Sequence, residues 1–132
     1  MPQHLNMTAL LVDEYDTALS FFVGKLGFEV REDTALGDGK RWVVVAPHGA
    51  TSALLLARAV NDRQRDAIGD QSGGRVFLFL ETDDFARGHL TYTQRGIRFV
   101  EEPRSEPYGI VAVFEDLYGN RWDLIEPVAC KG

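Results

Sequence analysis

The segment Arg121-Trp122-Asp123-Leu124-Ile125, close to the end of the chain, sets one carboxylate among apolar neighbours. Read as a strand, it points Arg121, Asp123 and Ile125 to the same side. The same alternation groups Met7, Ala9 and Leu11 near the start of the chain, and Phe77 with Phe79 in its middle. If these faces converge, they form an apolar, aromatic wall carrying a carboxylate and a guanidinium. Such a wall suits a planar or partly apolar small molecule that a few polar groups orient. Trp42 and Tyr108 are candidates to stack on it, although an aromatic on a strand is more often plain core. Arg121 and Asp123 are equally able to form a structural ion pair on the rim.

An Asp in an apolar cleft can have a raised pKa and act as a general acid or base, which makes Asp123 the candidate catalytic residue. No second base or nucleophile stands at a fixed spacing from it. There is no Ser-His-Asp order, no phosphate loop and no dinucleotide fingerprint, since Gly37-Asp38-Gly39 falls in a hairpin turn and not between a strand and a helix. The histidines add little. His4 lies three residues from Met7, an offset that turns it to the opposite face of a strand; His48 sits in a Pro-Gly turn, and His89 in the middle of a helix. The residues therefore lean towards binding and away from catalysis.

The elements that must position these residues occur twice. Met7 to Val12 reads as a strand leading through Asp13 into a helix with apolar positions Tyr15, Ala18, Leu19, Phe22 and Leu26, stopped by Gly27. Val76 to Leu80 leads through Asp83 or Asp84 into a helix that runs to about Arg95 and stops at Gly96. The second strand is apolar throughout, as expected of one buried on both faces. After the first helix come extended residues from Phe28, the turn at Gly37–Lys40, a strand Trp42–Ala46, a turn at Pro47–Ala50 and a strand Ala53–Leu56. After the second come an extended stretch from Ile97, a loop at Pro103–Tyr108, and a hairpin of Ile110–Glu115 with Trp122–Ile125, its turn marked by Gly119-Asn120. The expectation is an α+β fold of two tandem βαβββ modules, residues 1–59 and 75–132, joined by a polar linker at 60–74 with a helical turn around Arg63–Ile68.

Composition sets the outer bounds. A chain of 132 residues, 45% hydrophobic and 26% charged, is one ordinary globular domain. Its net charge of -6, with 14 basic residues scattered among 20 acidic ones, argues against a nucleic-acid partner. The single cysteine, Cys130, allows no intramolecular disulfide and no thiolate metal site. Neither a basic leader followed by an apolar run nor a stretch of about 18 apolar residues is present, so no membrane partner is expected and the cytoplasm is the expected location.

The closing segment Val113-Phe114-Glu115-Asp116-Leu117-Tyr118-Gly119-Asn120-Arg121-Trp122-Asp123-Leu124-Ile125-Glu126-Pro127, preceded by Tyr108-Gly109, resembles the last hairpin of the vicinal oxygen chelate superfamily. That superfamily holds glyoxalase I, bleomycin-resistance and extradiol dioxygenase proteins. The opening Val12-Asp13, Ala18, Phe21-Phe22 and Leu26-Gly27-Phe28 resembles its first strand and helix. The resemblance implies two modules whose mixed sheet curves around a cleft, pairing into a homodimer, and, in members that use a divalent metal, four equivalent ligand positions. Carried over, these positions fall on Met7, Phe77, Asp123 and, with a slip of one or two residues, Leu54. Three are apolar, whereas such ions take imidazole and carboxylate, so no metal or other cofactor is expected. The reading is a metal-free binding protein for a small aromatic or cationic molecule, with Met7, Trp42, Leu54, Phe77, Phe79, Tyr108, Arg121 and Asp123 as the ligand-binding candidates. The alternative is a metal-dependent lyase, isomerase or dioxygenase with an atypical site around Asp123.

Overall fold

A computed structural model describes residues 1–128; Cys130 lies outside the described residues. The chain divides into two compact units, Met1–Gly69 and from Asp70 onwards, a break that falls inside the polar stretch between the repeats. Among the described residues, no helix is long and apolar enough to cross a membrane.

The first unit runs β1 (Met7–Val12), α1 (Tyr15–Phe22), β2 (Glu29–Gly37), β3 (Lys40–Ala46), β4 (Ala53–Arg58) and α2 (Asp62–Ala67). Its mixed sheet has the order β1-β4-β3-β2, with β1 parallel to β4 and the other pairs antiparallel. Helix α1 buries Tyr15, Ala18, Phe21 and Phe22. Leu10, Val12, Val43, Val45 and Leu56 are wholly buried with them, which makes this unit's core.

Helix α1 is shorter at both ends than its apolar spacing predicts. Its N-cap is Glu14, which makes no side-chain cap bond, while Asp13 Oδ1 accepts from the Glu14 amide at 2.7 Å. The cap position thus lies one residue later than the sequence pattern suggests. At the other end, the Lys25 and Leu26 amides both donate to the Phe21 carbonyl, the second across five residues, a widened turn that ends the regular helix before Leu26. Gly27 then takes a φ of 78° and Gly96 one of 84°, so both expected stops are left-handed glycines.

The second unit runs β5 (Val76–Glu81), α3 (Phe85–Gln94), β6 (Arg98–Phe99), β7 (Arg104–Glu106), β8 (Gly109–Glu115) and β9 (Arg121–Pro127). Its sheet has the order β5-β9-β8-β6, with β7 also on β8, and β5 is parallel to β9. Asp84 caps α3 by accepting from the Arg87 amide at 3.1 Å. Two expectations change here. The stretch read as a loop before Tyr108 contains β7, and β5 is not buried on both faces: Phe79 is 67% exposed and Glu81 is exposed as well. Among the described residues the strand pairs only with β9, and α3 supports one face of that sheet.

The β8–β9 turn is built by Asp116. Its buried carboxylate accepts from the Tyr118 and Asn120 amides, from Asn120 Nδ2 and from Trp122 Nε1, at 2.9 to 3.1 Å. The Gly119-Asn120 pair supplies the bend, and this acidic residue fixes it.

Candidate functional site in the second unit

Position Asp123 is set by what happens on the reverse face of β9. Trp122 is locked by its bond to Asp116 and stacks on Phe114 at 5.7 Å, Leu124 is 1% exposed, and Glu126 Oε1 accepts from the Phe85 amide at the start of α3 at 2.8 Å. With these alternate residues tied to the helix side, Asp123 is held on the opposite face, where Phe79 is exposed but Asp123 and Val113 are buried. It lies between Phe79 of β5 and Val113 of β8. Next to Phe79, the register between β5 and β9 steps from Val76–Arg121 to Leu78–Trp122, so a bulge falls at Phe77.

Asp123 is 7% exposed, and its Oδ1 is buried without a hydrogen-bond partner among the described residues. Burial pushes its pKa up; Arg104 opposes that and Glu101 adds to it. Arg104 is itself engaged elsewhere. Its Nε donates to Glu101 Oε1 at 3.1 Å and its Nη1 to Glu106 Oε1 at 3.0 Å, and bonds to Glu106, Tyr108 and Glu101 keep it firmly charged. Chemically, the face offers the exposed ring of Phe79 beside a buried carboxyl whose Oδ1 has no partner among the described residues, with an acidic rim. It can accept a hydrogen bond or hold a proton.

The candidate residues divide between the units. In the second unit Phe79 lies opposite Asp123, while Phe77 falls at the bulge and has no register partner on β9. Tyr108 is half-exposed and bonded to Arg104. Arg121 lies opposite Glu115, which Arg98 approaches at 3.6 Å. Among the described residues no ion pair joins Arg121 to Asp123, which removes the structural pair considered from sequence.

In the first unit Met7 is half-buried and Trp42 is 37% exposed. Leu54 is buried on the face shared with Leu10 and Leu56, beneath α1. Register makes the counterpart of Asp123 one residue later: Leu10 pairs with Leu56 as Leu80 pairs with Leu124, so Ala9–Leu55 corresponds to Phe79–Asp123.

The metal question turns on donors. Phe77 and Asp123 provide one carboxylate in the second unit, and Met7 with Leu55 provide none in the first, a set that does not fit a hard divalent ion. Among the described residues, no cluster of three or more His, Cys, Asp or Glu side chains could hold a metal. His48 Nδ1 pairs with Glu29, and His89 lies between the rings of Phe85 and Phe99, at 5.6 and 4.2 Å. His4 is exposed ahead of β1.

Sequence reasoning missed Glu101, Arg104 and Glu106. Alternating charge through this stretch was a signal, but only pairing of β7 with β8 brings it to Asp123's face.

The chain is similar to known proteins along nearly its whole length. It is 53% identical over 128 residues to an uncharacterized protein of Shewanella frigidimarina, covering 96% of this chain and 95% of that one. Among solved structures, it is similar to UcmS2, with a TM-score of 0.82 and 30% identity over 96% of this chain and 99% of that one. It is also similar to TnmS3, an antibiotic binding protein from Streptomyces sp. CB03234, with a TM-score of 0.79 and 28% identity over 96% and 98% of the two chains. The family model of the Glyoxalase/Bleomycin resistance protein/Dioxygenase superfamily matches residues 4–124, and the chain belongs to that superfamily.

Proposed function

We propose that this protein binds a small, flat, partly apolar molecule on the open face of its second unit, without a divalent metal. The observation that carries the reading is the buried, unpartnered Asp123 oxygen beside the exposed ring of Phe79. A dry acceptor without a donor costs stability, and a ligand that supplies the donor offsets that cost. An exposed phenylalanine ring on a rigid strand gives the same ligand a stacking surface. The similarity to TnmS3 supports a small-molecule ligand in place of a macromolecular one. In the same reading the protein acts as a cytoplasmic homodimer.

The test is a thermal-shift screen of flat aromatic compounds against protein stripped with EDTA. Binders are expected to raise Tm, and Phe79→Ala is expected to weaken them by about tenfold, the scale of one lost aromatic contact with its buried area. Stabilisation that appears only with added Mn(II) or Zn(II), and is lost in Asp123→Ala, would instead favour the metal-dependent lyase, isomerase or dioxygenase reading.

A further inference from the structure

A cavity of about 480 Å³ opens beside the C-terminal half of α3, and neither Asp123 nor Phe79 lines it. Its volume is that of a small-molecule site. Ile97, Phe99 and Val100 supply its apolar part; His89, Thr93, Glu101 and Glu102 supply its polar part, and no lysine or arginine is among the lining residues. Glu101 Oε1 accepts from Arg104 Nε at 3.1 Å, whereas Glu102 has no hydrogen bond or ion pair among the described residues. Thr93 Oγ1 donates to the His89 carbonyl at 2.8 Å, which leaves the hydroxyl oxygen to accept. The His89 ring nitrogens are likewise unbonded among the described residues, and its ring sits 4.2 Å from that of Phe99. The cations nearest in sequence are engaged elsewhere: Arg95 beside Tyr92, Arg98 with Glu115, and Arg104 between Glu101 and Glu106.

We infer that this cavity binds a guanidinium group on a short aliphatic stem, with the guanidinium forked onto the Glu102 carboxylate and its plane along the His89 and Phe99 rings. The cavity offers acceptors and negative charge, so its occupant must bring donors and positive charge. A guanidinium brings both in a flat fork that matches a carboxylate and stacks on aromatic rings. An ammonium brings the charge as a point and leaves the rings unused. A urea has the same flat shape and donors without the charge, and a charge-assisted bond is roughly twice as strong as a neutral one. An anion meets like charge from Glu101 and Glu102. The stem lies against Val100. This site is independent of the Asp123 reading.

The experiment is an NMR titration at pH 7, following backbone amides, with butylguanidinium, butylurea and butylammonium. The proteins are the wild type, Glu102→Gln and, as a control for overall charge, Glu32→Gln, which removes an exposed carboxylate in the first unit. Thermal melts first establish that both variants fold. Butylguanidinium is expected to shift the amides of Thr93, Val100 and Glu102, and to bind about tenfold more tightly than butylurea. It should also bind more tightly than butylammonium. Glu102→Gln should reduce its affinity to near that of butylurea, and Glu32→Gln should leave it unchanged. Equal binding of butylguanidinium and either other compound would overturn the guanidinium assignment. Equal losses in the two variants, shifts confined to other residues, or no binding would overturn the site.

Discussion

Asp123 is held where an acid costs stability. Its folded-state pKa is raised, chiefly by burial, so the ionised form is disfavoured in the fold relative to the unfolded chain. The sign follows directly: its contribution is favourable below the ordinary carboxylate pKa of about 3.9 and is lost as pH rises through the raised folded value. Asp123→Asn, which removes the charge and keeps the shape, should therefore stabilise the free protein at pH 7 by about 1 kcal/mol. Denaturant melts at several pH values should show that advantage shrinking as pH falls and vanishing below the ordinary carboxylate range. A variant less stable than the wild type at pH 7 would mean that Asp123 has a structural partner. Gained stability with lost ligand affinity is the pattern expected of a residue kept for binding.

At the scale of elements, the β8–β9 hairpin is the part on which the site most depends. Asp116 satisfies four donors in the turn, among them the indole of Trp122, which immediately precedes Asp123. Asp116→Ala would strand those donors, and urea unfolding should report a loss of about 2–4 kcal/mol. Asp116→Asn keeps the shape but substitutes donors for one set of acceptors, so it should recover only part of that loss. The hairpin was legible in sequence because two apolar runs flank a Gly-Asn turn. The role of Asp116 was not, since the same residue type commonly begins an exposed turn; burial and Trp122 Nε1 distinguish it here. Strand β7 was missed for a related reason. Pro103-Arg104-Ser105-Glu106-Pro107 carries prolines at both ends and no apolar alternation, and its three residues are strand only because β8 offers them an edge. The acidic rim depends on that long-range pairing, which no local pattern announces.

At the scale of the whole molecule, two units share one plan and differ in what they display. Strand, helix and glycine stop recur, the first strand lies parallel to the last in each sheet, and Leu10–Leu56 repeats as Leu80–Leu124. This repeated frame was readable because apolar periodicity and left-handed glycines are local requirements. The open-face positions have diverged: Ala9 and Leu55 in the first unit, Phe79 and Asp123 in the second. Those identities were visible in sequence, but the partner of Asp123 in the first unit was placed one residue early, at Leu54, because register is fixed by pairing and a one-residue slip exchanges the two faces. For the proposed homodimer, light scattering coupled to size exclusion should give twice the 14.7 kDa chain mass; a monomer across micromolar concentrations would contradict it. Ligand binding, in the proposed reading, belongs to the second unit's Asp123 face. Its most direct test is NMR of protein labelled on its eight phenylalanine rings, titrated with a flat aromatic ligand in the presence of EDTA. The Phe79 resonance is expected to shift while buried rings such as Phe22 hold still; ring resonances that respond only after a divalent metal is added would contradict metal-free binding at this face.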